Sequence, residues 1–262
     1  MGRFSRISYL YKEITKLLKK PWRLPELFHR DYWRVLRANL AVGKIWSKSS
    51  QGEGIQKRDY ASYDDYLAHQ KVKLDYIRLV KEEREGLANY HVKYCQVLKE
   101  RLEQLPVAWT GKTVLCLAAR LGTEVKSFLQ LGGFAVGIDL NPGEANPYVL
   151  YGDFHDLVFP DHSVDVVFSN SFDHVYDIEK VLSEVKRVLK KGGLLLLEMQ
   201  QGSDEGRKPG LYESFWWSKI DDLAALLEER QLKLVRQFPI DYPWEGKLLA
   251  FTPSASQGES SE

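Results

Sequence analysis

The sequence has only two cysteines among 262 residues, Cys95 and Cys116, and both lie among apolar neighbours. Two cysteines are too few for a disulfide framework or a zinc site, so we expect a reducing environment. The sequence also lacks a run of about 18 apolar residues, which a membrane-spanning helix needs, and it lacks the apolar stretch of a secretion signal. These absences favour a cytoplasmic globular protein over secreted or membrane-spanning classes.

Charge is unevenly distributed along the chain. Lys plus Arg outnumber Asp plus Glu by 12 to 3 in residues 1–48, the two are equal at 10 each in 49–108, and acids lead by 23 to 15 in 109–262. Composition and pattern change at the same places. We therefore predict a basic aromatic N-terminal segment (1–48), a helical extension (49–108), a main domain (109–253) and a disordered polar tail (254–262).

The basic segment mixes lysines with tryptophan, tyrosine and phenylalanine, and Pro21 and Pro25 divide it into short helical pieces. Leu10, Ile14 and Leu18 recur at helical spacing. This pattern is typical of an amphipathic helix at an anionic membrane surface, and it equally fits a helix that docks on the main domain or on a protein partner. Nucleic acid is a less favoured partner, because the acidic main domain would repel a phosphate backbone.

Two helices are predicted in the extension after a loop at 49–55, at 60–80 and 85–105. The second carries an amphipathic stripe and is followed by Pro106, which ends it. Its stripe consists of Leu87, Tyr90, Tyr94, Val97, Arg101 and Leu105. His69 and His91 have no cysteine or histidine at ligand spacing, so we predict structural roles for them and no metal.

From residue 109 the pattern changes to short β-rich runs that alternate with helical segments, which is typical of a parallel sheet with crossover helices. Strands are predicted at 113–118, 134–140, 148–151, 164–170, 194–199, 233–240 and 247–252, and helices at 123–131, 178–189 and 218–230. Only a short loop separates the last two strands. They are therefore expected to form a hairpin that adds an antiparallel strand.

Four sequence blocks carry a family resemblance, in the order TVLCLAARLGTEV, GFAVGIDLNPG, YGDFHDLVFPDHSVDVVFSN and SFDHVYDIEKVLSEVKRVLKKGGLLLLE. Residues 109–253 resemble the class I methyltransferases that use S-adenosylmethionine, particularly the methyltransferase type 11 group. The resemblance implies an α/β, Rossmann-like sheet of seven strands with the last one antiparallel. It also implies an enzyme that takes S-adenosyl-L-methionine as cofactor.

The resemblance assigns candidate cofactor residues to the ends of the second and third strands. Asp139 would accept hydrogen bonds from both ribose hydroxyls, as an acid at this place does in dinucleotide sites. Asp153 would accept from the adenine amino group, with the Phe154 backbone at the ring edge and Leu140 against the ring face. Each aspartate could instead serve as an ordinary turn residue, and Leu140 could belong to the core.

The first loop departs from the family, which has an acid followed by three alternating glycines. Here those places hold Cys116, Ala118, Arg120 and Gly122. Glycine allows close backbone approach and unusual backbone conformations. Arg120 could pair with the carboxylate of the methionine moiety, and Glu124 could meet its ammonium group or restrain Arg120. The alternative is that Arg120 fills the pocket and blocks the cofactor.

The loop after the fourth strand, SNSFDHVYD, faces the transferred methyl group in the family. Asn170 and His174 are the catalytic candidates, with His174 as general base for a hydroxyl acceptor or simply packing the loop; Asp173 lies between them. After the fifth strand, a long aromatic segment at 201–217 indicates a substrate loop or lid. Its Trp216 and Trp217 would either grip the acceptor or anchor the next helix.

The favoured function is methyl transfer to a small-molecule, saccharide or lipid-linked acceptor. Two alternatives stay open: an RNA or protein methyltransferase, and a methyltransferase-like binding module without catalysis. Loss of S-adenosylmethionine binding would indicate the binding module without catalysis. Salt-sensitive RNA binding would indicate the RNA methyltransferase.

Overall fold

The computed structural model describes residues 2–41, 46–48, 52–79 and 81–254. Its N-terminal part contains α1 (Gly2–Lys19), a 3-10 helical segment (Pro21–Phe28), α2 (Arg30–Ala41), β1 (Trp46–Lys48), β2 (Ile55–Arg58), α3 (Tyr63–Leu79) and α4 (Lys81–Leu102). The two prolines lie at the start and in the middle of the 3-10 segment, where they separate α1 from α2. Residues 49–51 of the predicted loop and 255–262 of the predicted tail lie outside the described residues.

The main domain contains β3 (Thr113–Leu117), α5 (Thr123–Gln130), β4 (Phe134–Asp139), β5 (Val149–Tyr151), β6 (Val164–Ser169), α6 (Ile178–Val188), β7 (Leu189–Gln200), β8 (Phe215–Trp217), α7 (Ile220–Glu229), β9 (Leu232–Ile240) and β10 (Gly246–Pro253). Seven of these strands form one sheet in the order β5-β4-β3-β6-β7-β10-β9. The first five are parallel, and β10 lies antiparallel to both β7 and β9. The predicted seven-stranded class I fold is confirmed.

A second, three-stranded sheet has the order β1-β2-β8 and was not predicted from the sequence. Ile55 of β2 lies opposite Trp217 of β8, so the sheet joins the extension to a segment far along the chain. Strands of three or four residues are too short to show alternation, and their partner is not a sequence neighbour. The region predicted as a loop and a helical extension therefore contains strands as well.

Apolar side chains cover both faces of the main sheet. On one face, α6 and α7 bury residues such as Val181, Leu182 and Leu223 together with Phe215 and Trp217. On the other face, α4 and α5 contribute Tyr94, Leu98, Leu102, Val125 and Phe128. A parallel sheet is stable only when both faces are covered in this way.

The layout places the loops that follow β3, β4, β5 and β6 side by side at the carboxyl edge of the sheet, where open α/β sheets bind their ligands. Among the described residues, no helix combines the length and the apolar character that crossing a membrane requires.

Candidate functional site

The loop after β3 keeps a glycine-like backbone at positions that are not glycine. Ala118 has a φ of 51° and Arg120 a φ of 50°, while Gly122 has a φ of 81°. Non-glycine residues seldom take positive φ values because Cβ then crowds the backbone. All three places where the resemblance expects glycine therefore retain the left-handed conformation, although only Gly122 is free of this crowding.

Gly122 has a further reason to be glycine. A Cβ built on it would lie 2.6 Å from the Cβ of Tyr148 and 3.2 Å from a methyl group of Val149. Gly122 directly precedes the first residue of α5, so this close approach sets the distance between the helix and the β5 edge. Gly122 therefore has a packing role between α5 and the β5 edge.

Asp139 lies at the end of β4 and fixes the neighbouring loop. Its Oδ2 accepts from the backbone N–H of Arg120 at 2.9 Å, and its Oδ1 accepts from the backbone N–H of Asn141 at 2.7 Å. Each carboxylate oxygen can accept a second hydrogen bond. The carboxylate therefore retains capacity for a ligand hydroxyl at each oxygen.

A first cavity of about 550 Å³ opens beside Asp139. It is lined by the predicted residues Ala118, Arg120, Asp139, Leu140, Phe154 and His174, together with Tyr66, Gln70, Lys73, Asn141, Gly152 and Ser171. The sequence prediction did not include the three side chains that α3 supplies.

Asp153 does not line this cavity. Its Oδ1 accepts from the backbone N–H of His155 at 2.9 Å and from the His155 ring at 2.8 Å, and its Oδ2 accepts from the Tyr63 hydroxyl. Burial would raise the pKa of Asp153, but these hydrogen bonds outweigh burial and lower it. The structure thus shows a structural use for this carboxylate, and its contact with adenine stays a prediction.

Glu124, at the start of α5, is a buried carboxyl with one free oxygen. Its Oε1 accepts from the Asn170 amide at 2.8 Å, while its Oε2 is buried and has no hydrogen-bond partner. Burial raises its pKa to about 7, and the nearby Arg120 and Asn170 oppose the rise. An unpaired buried acceptor is costly, so this oxygen is available to a donor from a ligand.

A second cavity, of about 690 Å³, adjoins the first and shares Lys73, Ala118, Arg120, Ser171 and His174 with it. Its remaining wall is formed by Tyr90, His91, Ala119, Glu124, Asn170, Asp173, Gln200, Arg207, Glu213 and Trp244. Arg120 stands between the two cavities, and its guanidinium makes no hydrogen bond or ion pair to the described part of the chain. The geometry leaves this cation available to an anionic group of a ligand.

His174 has both ring nitrogens engaged. Nδ1 lies 2.9 Å from the Tyr212 carbonyl oxygen and therefore carries the proton, while Nε2 accepts from the Lys73 ammonium at 2.9 Å. Burial and then Lys73 hold its pKa well below the usual histidine value. His174 could act as a general base only if Lys73 moved away, so that role remains a prediction.

Trp216 and Trp217 are fully buried in β8 and line neither cavity. Their indole N–H groups donate to Ser203 Oγ at 2.9 Å and to the Gln200 carbonyl at 3.0 Å. Of the two roles considered for them, anchoring fits this geometry. The same segment nevertheless contributes Arg207 and Glu213 to the second cavity.

Comparison with known proteins agrees with this geometry. Residues 115–197 match the model of the family described as Methyltransferase domain. Over 65 residues the chain is 42% identical to the malonyl-[acyl-carrier protein] O-methyltransferase 1 of Coxiella burnetii, a match that covers 23% of each chain. It is 32% identical to the demethylmenaquinone methyltransferase of Thermobifida fusca over 104 residues, which are 34% of this chain and 44% of that protein.

Among solved structures, the chain is similar to the 1,6-didemethyltoxoflavin-N1-methyltransferase of Burkholderia thailandensis, which was crystallised with S-adenosylhomocysteine bound. The TM-score is 0.55 at 14% identity, and the match covers 80% of this chain and 99% of that one. Residues 115–197 thus match a methyltransferase domain, and the chain has the class I methyltransferase fold that the sequence predicted. The matched segments span less than half the length of the curated relatives.

Proposed function

We propose that the protein transfers a methyl group from S-adenosylmethionine to a small-molecule, saccharide or lipid-linked acceptor. The observation that carries the proposal is the pair formed by the unpartnered Glu124 Oε2 and the unpaired Arg120 guanidinium. An amino acid has one ammonium and one carboxylate, and these two side chains supply one complement for each. The methionine moiety of the cofactor has this chemistry.

The other residues fit the rest of the cofactor. Asp139 has capacity for the ribose hydroxyls, and Leu140 and Phe154 offer apolar surface for adenine in the first cavity. Asn170 orients Glu124 through its amide and is itself fixed near the Tyr94 hydroxyl, 2.9 Å away. When bound, the cofactor supplies an electrophilic methyl group on a sulfonium. The protein must then align the acceptor and exclude water.

Calorimetric titration with S-adenosylhomocysteine tests this proposal. Wild type should bind, and Asp139→Asn should bind at least about tenfold more weakly, because one of the two oxygens that accept ribose hydroxyls becomes an amide donor. Asp156→Asn is the matched control, since its exposed side chain lies outside both cavities. Failure of the wild type to bind would instead favour the non-catalytic binding module.

The N-terminal segment offers a surface for association with anionic lipid, and we include it in the proposal. Ile14, Leu18, Trp22 and Phe28 are exposed, Phe28 by 92%. Lysines flank them in a segment where basic residues outnumber acidic ones by 12 to 3. Exposed apolar and aromatic groups next to lysines fit the headgroup region of an anionic bilayer. This contact would hold the domain close to a lipid-linked acceptor.

Sedimentation with phosphatidylcholine vesicles, with or without phosphatidylserine, tests the surface. Binding should need the anionic lipid and weaken with salt. The double variant Leu18→Ser, Phe28→Ser should bind about tenfold more weakly, because it removes apolar area that enters the interface. Val158→Ser is the control, as Val158 is 84% exposed on the main domain. Equal loss in both variants, or binding to neutral vesicles alone, would contradict the membrane role.

A further inference from the structure

Besides Glu124, two described residues that line the second cavity have a carboxylate oxygen without a hydrogen-bond partner. These oxygens are Asp173 Oδ1 and Glu213 Oε2, both buried, and Asp173 as a whole is only 6% exposed. One ligand atom of each residue, together with one of His174, lies within 4.8 Å of the others. Neither residue takes part in the cofactor contacts proposed above, so these oxygens need a separate explanation.

The Asp173 carboxylate and the backbones of both residues are fixed by hydrogen bonds. Asp173 Oδ2 accepts from the Gln200 amide at 2.8 Å, and the Asp173 carbonyl accepts from the backbone N–H of Ser214 at 2.7 Å. The Glu213 carbonyl accepts from the Arg58 guanidinium at 2.7 Å. The Gln200 contact therefore sets the orientation of the Asp173 carboxylate, and the Arg58 contact holds the backbone that carries Glu213 at the cavity wall.

A metal ion is not the best occupant of this cluster. His174 Nε2 lies 3.8 Å from Asp173 Oδ1 and already accepts from the Lys73 ammonium at 2.9 Å. A metal ion would have to displace this ammonium, which places a positive charge next to the same carboxylates. Burial, followed by repulsion from Glu213, raises the pKa of Asp173, and Lys73 opposes that rise.

The charges of the cavity indicate a neutral ligand. Arg120 and Glu124 match the zwitterionic end of the cofactor, which leaves Lys73 and Arg207 to balance Asp173 and Glu213. With no surplus of either sign, neither an anionic nor a cationic acceptor gains net attraction. When the two carboxylates are ionised, their free oxygens accept hydrogen bonds, so a ligand that completes them must bring donors. Tyr90 and Trp244 line the same cavity and offer aromatic surface.

We infer that Asp173 and Glu213 bind the hydroxyl groups of a neutral, saccharide-like acceptor, and that Asp173 Oδ1 receives the proton of the hydroxyl that is methylated. The acceptor oxygen forms a bond to the methyl carbon while the carbon–sulfur bond breaks, and sulfur keeps the electron pair. Lys73 and His174 are positioning residues, since they set the charge around Asp173. The inference rests on the proposed function and names its acceptor class.

The test uses the full chain saturated with S-adenosylhomocysteine. Methyl glycosides of glucose, mannose, galactose and rhamnose are titrated, with monomethyl malonate, dimethylamine and Zn²⁺ as anionic, cationic and metal probes. At least one glycoside should bind, and Asp173→Asn and Glu213→Gln should each weaken it tenfold or more. Asp204→Asn, an exposed acid outside this cavity, should leave binding unchanged.

With labelled S-adenosylmethionine, Asp173→Asn should lower kcat for that glycoside at least a hundredfold.

Three outcomes would overturn the inference: no glycoside binds, glycoside binding is the same in Asp173→Asn and Glu213→Gln as in wild type, or one of the ionic probes binds through these two residues. Both variants should bind S-adenosylhomocysteine within twofold of wild type. If wild type itself did not bind S-adenosylhomocysteine, the proposed function would fail instead, and the two failures are thereby distinguished.

Discussion

At the residue scale, the most informative feature is the backbone of Ala118 and Arg120. Both residues hold positive φ values close to 50°, and such conformations cost of order 1–3 kcal/mol each for residues with a side chain. The loop keeps its shape although two glycines are absent, because Asp139 and the β4 edge determine where its N–H groups point.

Ala118→Gly should therefore stabilise the protein. Glycine takes the left-handed conformation without crowding, so we expect the free energy of unfolding to rise by about 1 kcal/mol and Tm by about 2–4 °C. Thermal and urea unfolding measure the change. Ala119→Gly is the control, since Ala119 is buried without a positive φ and its methyl group packs over Gly137. That variant should be destabilised, and stabilisation of both would contradict the strain argument.

Glu124 predicts a pH dependence of cofactor binding. Burial raises its pKa to about 7, so the free protein changes this charge near neutrality. An ammonium group binds the ionised carboxylate, so the affinity for S-adenosylhomocysteine should fall as the pH falls from 8 to 6, by about tenfold. Calorimetry at three pH values measures this. Glu124→Gln should bind more weakly and show a flat profile over the same range.

The stability of the free protein gives an independent check on Glu124. Burial raises its pKa in the folded protein above the ordinary glutamate value of 4.5, so the unfolded chain loses the proton first. This group therefore destabilises the fold as the pH rises from about 4.5 to 7. Glu124→Gln should be more stable than wild type at pH 8 and lose that advantage at pH 4.5. An equal difference in unfolding free energy at both pH values would contradict the assignment.

At the element scale, the extension builds part of the site. Helix α3 lines the first cavity with Tyr66, Gln70 and Lys73. The Gln70 amide donates to the Tyr212 carbonyl at 2.8 Å, and Arg58 on β2 donates to the Gly210 carbonyl at 3.0 Å. The segment predicted as a lid is thus fastened to the extension along residues 210–214.

Arg58→Met should loosen that segment. The substitution leaves the Gly210 and Glu213 carbonyls without the Arg58 donor, which costs about 2–3 kcal/mol. Hydrogen–deuterium exchange should rise in residues 207–214 and stay unchanged in β7. Gln56→Met, on the same strand, is the control and should alter neither region. Equal protection of residues 207–214 in Arg58→Met and wild type would show that the extension does not hold the loop.

The sequence predicted the large elements of the main domain because their strands and helices show clear periodicity. Four residues that the resemblance assigned to the cofactor, Asp139, Leu140, Phe154 and Arg120, line one cavity, because strand ends meet at one sheet edge. Their contact with a cofactor stays a prediction. Helix α3 was predicted, but not its role, because its inward face is polar and aromatic rather than apolar. Tyr63, Tyr66, Gln70 and Lys73 recur at steps of three and four, which is the signal that could have revealed it. Glu213 had no such signal, since its position depends on the long-range pairing of β2 and β8.

At the scale of the whole molecule, the chain combines a basic segment carrying exposed apolar side chains with an acidic main domain that carries the cavities. An anionic surface would attract the basic N-terminal segment and repel the acidic main domain. In the proposed arrangement, the N-terminal segment holds the main domain near the lipid. The domain boundaries proposed from the sequence follow the same division of charge.

The central claim is that Arg120 binds the cofactor rather than blocking it. Calorimetry with S-adenosylhomocysteine and with 5′-methylthioadenosine, which lacks the carboxylate and ammonium groups, tests the claim most directly. Arg120→Ala should weaken S-adenosylhomocysteine binding by about tenfold to a hundredfold, the loss of one charge-assisted contact, and leave 5′-methylthioadenosine unchanged. Arg120→Lys should lose less affinity for S-adenosylhomocysteine than Arg120→Ala. Tighter binding of both ligands to Arg120→Ala would show that the side chain obstructs the cavity and would contradict the account.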